Sequence, residues 1–211
     1  MKAVSKIDPN VTEDYLLNSK ESLYFERKGR DTKRTKIANE IVGMLNADGG
    51  VLAVGVEDNG IIDKTKNFSS DIDGYRKLCK EMIQPTPHVI FEEIKINNNT
   101  IYLYHVSENN ENVFSRKGGN EVYKRIGDSN YGPLSISEID NLRYDKNLRR
   151  FEDQVVEDFD TEDFDLQLIN EYKNSLKYEG TQEELLLNRN LAKKVKDVIM
   201  YKNSAILLFS K

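Results

Sequence analysis

The chain has 211 residues, 38% hydrophobic and 32% charged, which allows one large domain or one domain with an appendage. Its apolar runs are all interrupted within a few residues, which argues against a membrane-spanning helix, and the first residues lack the apolar core of a signal peptide. A single cysteine, Cys79, excludes an internal disulfide, and with two histidines a zinc cluster is not expected. We therefore expect a cytoplasmic protein with no membrane partner.

The net charge of −5 is unevenly distributed along the chain. Residues 151–211 carry 13 acidic and 8 basic side chains, which leaves residues 1–150 with 23 of each. Within this neutral part, six cations fall in one window of ten residues, and a concentrated basic patch of this kind is compatible with phosphate binding. They are Arg27, Lys28, Arg30, Lys33, Arg34 and Lys36.

The predicted elements begin with a short helix capped by Thr12 and a strand over residues 23–28. On that strand, Glu26 and Lys28 project to the same side because they are two residues apart. Thr32 is then predicted to cap an amphipathic helix that runs to about residue 45.

Three of the six cations, Lys33, Arg34 and Lys36, fall in the first turn and a half of this helix. Cations at that end oppose the helix dipole, so local helix stability does not favour them there. An anionic ligand would explain their position.

The Gly49-Gly50 pair predicts a turn into a buried strand over residues 51–56, which a tight turn at 57–60 ends. Neither this pair nor Gly118-Gly119 belongs to a phosphate-loop sequence, so nucleotide hydrolysis is not supported.

Downstream, the patterns predict a helix and a β-hairpin, then a short strand and another helix. Their expected ranges are 72–83 for the helix, 88–96 and 100–106 for the hairpin, 121–126 for the strand and 135–144 for the last helix.

From about residue 149 the composition becomes acidic, and a helical pattern follows over 166–178. The apolar segment 204–211 stops abruptly, as an interior element would if the chain continued. We predict a nucleic-acid-binding domain over residues 1–148, followed over 149–211 by an acidic linker and the start of a second, truncated domain.

Two functions follow from the residue types alone. Cations of the 27–36 window, with Arg116, Lys117, Lys124 and Arg125, could hold a nucleic-acid backbone, and Tyr123 and Tyr131 could stack on bases. Alternatively, Glu21, Glu26 and Asp58 could bind a divalent cation for phosphodiester cleavage, with Lys28 stabilising the developing negative charge.

Five segments carry a resemblance to a known family. They are Glu21-Ser…Phe25-Glu-Arg-Lys28, Leu45-Asn-Ala-Asp-Gly-Gly50, Val54-Gly-Val-Glu-Asp58, Ile83-Gln-Pro85 and Tyr123-Lys-Arg-Ile-Gly-Asp-Ser129. Together they resemble the Schlafen/Alba-like (Schlafen AlbA_2-type) DNA-binding domains of bacterial transcriptional regulators, over roughly residues 12–145.

The resemblance implies a mixed α/β fold, in which a twisted mixed sheet packs with helices, followed here by a smaller, mostly helical segment. In the animal Schlafen branch, a three-carboxylate site cleaves structured RNA with Mg²⁺ or Mn²⁺. Matched motif by motif, its carboxylates fall on Glu21, Glu26 and Asp58. Schlafen nucleases use paired domain copies, so a similar clamp on DNA or RNA would require this chain to form a homodimer.

Overall fold

A computed structural model describes residues 3–62 and 71–211 of the chain. It divides into two compact units, Met1–Lys146 and Asn147–Lys211. None of the helices in the described ranges is long and apolar enough to cross a bilayer.

The first unit contains four helices and eight strands within its described residues. In chain order they are α1 (Glu13–Asn18), β1 (Phe25–Lys28), α2 (Arg34–Leu45), β2 (Gly50–Val54), α3 (Ile72–Met82), β3 (Ile83–Gln84), β4 (Val89–Ile96), β5 (Asn99–Val106), β6 (Ser115–Arg116), β7 (Lys124–Ile126), β8 (Ser129–Tyr131) and α4 (Ile136–Asp145).

A four-stranded mixed sheet with strand order β1-β2-β5-β4 forms the centre of this unit. β1 and β2 are parallel and are joined through α2, whereas β2, β5 and β4 pair antiparallel. The two-residue period of the strands divides the core between the two faces of the sheet. Tyr102 and Tyr104 of β5 pack with α2 and α3, while Leu103 packs on the opposite face with Leu16 of α1. The predicted mixed α/β fold is therefore confirmed.

The Gly49-Gly50 pair is a turn with close packing, as predicted. Gly49 has φ +79° and Gly50 has φ +137°, a region that side chains strongly disfavour. A Cβ atom on Gly50 would lie 2.5 Å from the carbonyl oxygen of Tyr24, so β2 can approach the start of β1 only without a side chain here.

Two local predictions need correction. Thr32 does not cap α2, because the helix begins at Arg34 and Lys33 occupies the N-cap position without a side-chain hydrogen bond. The strand predicted over 121–126 is shorter and forms a hairpin with β8, which the sequence pattern did not indicate. The capping of α1 by Thr12 is confirmed, and the helix predicted over 135–144 is α4, which Ser135 caps.

The second unit has its own core. It contains β9 (Val155–Val156), α5 (Leu166–Ser175), α6 (Gln182–Asn188), β10 (Ala192–Val195), β11 (Val198–Lys202) and α7 (Asn203–Phe209), with short 3-10 helices at Phe151–Asp153 and Thr161–Asp163. β9, β10 and β11 form a three-stranded antiparallel sheet, so the unit is less helical than the sequence suggested. Phe164, Ile169, Tyr201 and Phe209 contribute to its apolar cluster.

Candidate functional site

A buried cluster of charged side chains joins β1, α2 and β7. Glu26 on β1 lies at its centre, and each of its carboxylate oxygens contacts one cation. Lys28 donates to Oε1, and Arg125 Nη1 donates to Oε2 at 2.7 Å. Burial alone would raise the pKa of Glu26, but the hydrogen bond and charge of Lys28 and the hydrogen bond from Arg125 hold it below its ordinary value. Glu26 is therefore an ionised, fully engaged carboxylate.

Arg125 is the most deeply buried member of this cluster, with a side-chain exposure of 0%. Besides Glu26, its guanidinium donates to the backbone carbonyls of Ser22, Phe25 and Asp128. These bonds attach the β7–β8 hairpin to β1 and to the turn before it. In this fold Arg125 is a structural residue and does not face a phosphate, which corrects the role predicted for it.

Glu40 on α2 completes the cluster and was missed by the sequence analysis. Its carboxylate lies 3.8 Å from both Lys28 Nζ and Arg125 Nη1, while its buried Oε2 accepts no hydrogen bond. Burial raises the pKa of Glu40, and the negative charge of Glu26 raises it further against the lowering effect of the cations. The sequence did contain a signal for Glu40, because a glutamate on the apolar side of an amphipathic helix is expected to be buried.

Glu21 lies beside the cluster but faces a surface cleft of about 480 Å³. Its Oε1 accepts a hydrogen bond from the backbone N–H of Arg27 at 3.0 Å. Partial burial, then the hydrogen bond and charge of Glu26, raise the pKa of Glu21. Asp58 lines the same cleft, as does Asp128, which the sequence analysis did not single out.

The three predicted metal ligands do not come together as a ligand set. Glu21 and Glu26 are neighbours, but both oxygens of Glu26 are held by cations, and Asp58 joins Glu21 only in lining the cleft. Within residues 3–62 and 71–211, no three acidic, histidine or cysteine side chains are placed to hold a metal ion. This arrangement does not fit a metal site formed by the three carboxylates.

Two further cations of the predicted patch are also structural. Arg27 is buried, and its guanidinium donates to the carbonyls of Leu16, Ser19 and Asp58 while lying 5.0 Å from the ring centre of Phe25. Arg30 is buried as well and donates to the carbonyl of Thr100. Neither guanidinium is presented to a nucleic-acid backbone. Lys28, with 12% of its side chain exposed, belongs to the buried cluster.

The remaining cations of the patch lie at the surface. Lys33, Arg34 and Lys36 are exposed around the first turn of α2, a helix with no acidic residue in that turn. Arg34 Nη1 lies 3.7 Å from Asp71 Oδ2, which is a long contact for an ion pair. Lys124 is one-third exposed and bonds Asp145. The structure thus separates the predicted binding residues into a buried group, an exposed group at the start of α2 and the partly exposed Lys124.

The chain was compared with curated proteins and with solved structures. No curated protein matches it. Among solved structures, the DIP2311 protein from Corynebacterium diphtheriae is similar over 89% of this chain, with 23% identity and a TM-score of 0.45, and the match spans 35% of that protein. The N-terminal domain of a RecG-related protein from Nitrosomonas europaea is similar over 64% of this chain and 95% of its own length, with 18% identity and a TM-score of 0.42.

The sequence model of the Schlafen, AlbA_2 family matches residues 13–133. This span includes β1 and α2, the buried cluster and the hairpin that carries Arg125. It covers more than half of the chain, which therefore belongs to the Schlafen, AlbA_2 family.

Proposed function

We propose that this chain is a nucleic-acid-binding module that holds the phosphate backbone through the exposed cations at the start of α2. The observation that carries this proposal is the placement of Lys33, Arg34 and Lys36 around an N-terminus that has neither a side-chain cap nor an acidic residue in its first turn. Membership of the Schlafen, AlbA_2 family supports the same function.

The two features reinforce each other electrostatically. The first N–H groups of a helix have no partner within the helix and carry a partial positive charge. Three cations at that end increase the positive potential instead of neutralising it. A phosphate bound there would receive both backbone and side-chain hydrogen bonds.

The resemblance to bacterial regulators suggests a more specific assignment. We infer that the module serves a bacterial-type transcriptional regulator in the cytoplasm, with DNA as the first partner to test and RNA as the second. Of the other predicted binding cations, Arg125 is buried, whereas Arg116, Lys117 and Lys124 are partly exposed. Lys124 could add a contact to the nucleic-acid backbone.

The experiment is a binding titration of the full chain with labelled duplex DNA, duplex RNA and single strands over a series of salt concentrations. The expected result for the Lys33→Ala/Arg34→Ala/Lys36→Ala variant is a large loss of affinity and a shallower dependence of log K on log salt. Each lost phosphate contact lowers that slope by roughly 0.9 on duplex DNA. An unchanged affinity and slope in this variant would refute the proposed site.

A metal-dependent nuclease is the second candidate function. Because the three predicted carboxylates do not form one ligand set, it would have to use Glu21 and Asp58, which line one cleft beside the buried cluster. The same titration with Mn²⁺ and with chelator tests it, because cleavage that chelation abolishes would establish hydrolysis. Glu21→Gln is a better probe than Glu26→Ala, since loss of Glu26 would leave Lys28 and Arg125 without their partner.

A further inference from the structure

Helix α3 presents a second group of cations that the sequence analysis assigned to no function. Arg76, Lys77 and Lys80 are exposed on α3, and the spacing of Arg76 and Lys80 places them on one side of the helix. α3 packs against the same face of the sheet as α2.

The first turn of α2 lies against helix α3. The guanidinium of Arg34 lies over Gly74 of α3 and 3.7 Å from Asp71 at the start of that helix. Lys33 and Arg34 also line, with Gly74 and Glu81, a surface pocket of about 370 Å³ between the two helices.

The charge balance of this surface is positive. Across residues 33–45 and 71–82, six exposed cations face three exposed acids, and the one other acid, Glu40, is buried. The cations are Lys33, Arg34, Lys36, Arg76, Lys77 and Lys80, and the acids are Asp71, Asp73 and Glu81. Asp71 lies 3.7 Å from Arg34, while Asp73 and Glu93 of β4 lie 3.8 and 3.9 Å from Arg76. These long contacts weaken the positive potential without neutralising it.

Among the described residues of α2 and α3, no exposed ring is available on which a base could stack. The aromatic residue of the two helices is Tyr75, which is buried and whose carbonyl accepts a hydrogen bond from the hydroxyl of Tyr104. Proteins that hold single strands combine cations with exposed aromatic rings. Cations alone, fixed on two packed helices, suit regularly spaced phosphates and carry no information about base sequence.

We propose that the phosphate-binding surface extends from α2 across α3, and that its partner is the backbone of a double-stranded nucleic acid, bound without regard to sequence. This inference rests on the proposed function and adds α3 and the partner class to it. DNA and RNA duplexes present the same phosphate chemistry, so both are tested.

The test compares four variants of the full chain by fluorescence anisotropy. Labelled DNA and RNA duplexes of two unrelated sequences, and their single strands, are titrated at several salt concentrations. Lys77→Ala/Lys80→Ala should weaken duplex binding and lower the salt slope by about 1 per lysine. Glu81→Gln should strengthen binding, because it removes a like charge from the surface.

The remaining variants separate this inference from the proposed function. Lys193→Ala/Lys194→Ala removes two exposed lysines of the second unit and should leave the duplex affinity unchanged. If the α2 variant weakens binding and the α3 variant does not, the extension onto α3 is refuted while the proposed function stands. If neither variant weakens binding, both fail. Tighter binding of single strands than of duplexes, or a tenfold difference between the two sequences, would refute the assigned partner.

Discussion

The six cations between Arg27 and Lys36 are neighbours in sequence but differ sharply in environment. Arg27, Lys28 and Arg30 have their charged groups bonded within the fold, and Arg27 and Arg30 are 3% and 8% exposed. Lys33, Arg34 and Lys36, only a few residues later, are exposed around the start of α2.

The difference has a physical cause. A guanidinium is removed from water at a large cost in free energy, which is offset only when carbonyls or carboxylates satisfy its donors. The carbonyls of Leu16, Ser19 and Asp58 do this for Arg27. Within the described residues, Lys33, Arg34 and Lys36 have no such set of acceptors, so their charged groups remain available to an external anion. Both groups consist of arginine and lysine residues. The hydrogen-bond acceptors around each side chain decide whether it is part of the fold or available to a ligand.

The largest effect is expected from the buried side of this comparison. Arg125→Met should lower the free energy of unfolding by about 3–5 kcal/mol, because it leaves Glu26 buried with one partner fewer. Urea denaturation measures the loss. The matched control is the preceding residue, since Lys124→Ala breaks an exposed pair with Asp145 and should cost roughly 1 kcal/mol or less. Equal losses in the two variants would show that burial does not distinguish these cations.

Removal of the exposed cations should have an intermediate effect on stability, of opposite sign to that of Arg125→Met. Lys33→Ala/Arg34→Ala/Lys36→Ala should raise the free energy of unfolding, because each cation opposes the dipole of α2 at a cost of about 0.3–1 kcal/mol at low salt. Denaturation without nucleic acid checks this, and the gain should diminish in high salt. A variant that binds less and is also less stable would contradict the assignment of these side chains to a ligand.

The smallest effect concerns the pH dependence of stability. Burial raises the folded-state pKa of Glu40, so the folded state holds the proton more tightly, and stability is lost as pH rises through that value. Glu40→Gln should therefore lose less stability than the unmodified protein as the pH rises from about 4.5 to about 7.

Glu92 supplies the matched control for this measurement. Despite burial, hydrogen bonds from Ser5, the Lys6 N–H and His105 lower the pKa of Glu92, so its contribution is present above the ordinary value and lost in acid. Glu92→Gln should reduce stability at neutral pH and have less effect in acid. Parallel pH profiles for the two variants would refute the difference in pKa.

Local chemistry within the sequence determined much of the fold of the first unit. Thr12 and Ser135 cap helices because a side-chain oxygen can accept the first free N–H groups wherever the chain turns into a helix. The apolar run after Gly50 forms a central strand, and the alternating residues of β4 and β5 pair as a hairpin. The ordered motifs also indicated the Schlafen, AlbA_2 family, whose sequence model matches residues 13–133.

Only the tertiary structure decided which charges are available. Arg125 bonds Glu26 across 99 residues of sequence, and Glu40 joins them from a third element. No local pattern specifies such contacts, because they depend on how β1, α2 and the β7–β8 hairpin pack together. The start of α2 and the start of α3 lie together for the same reason, since two helices packed on one face of a sheet bring distant residues together.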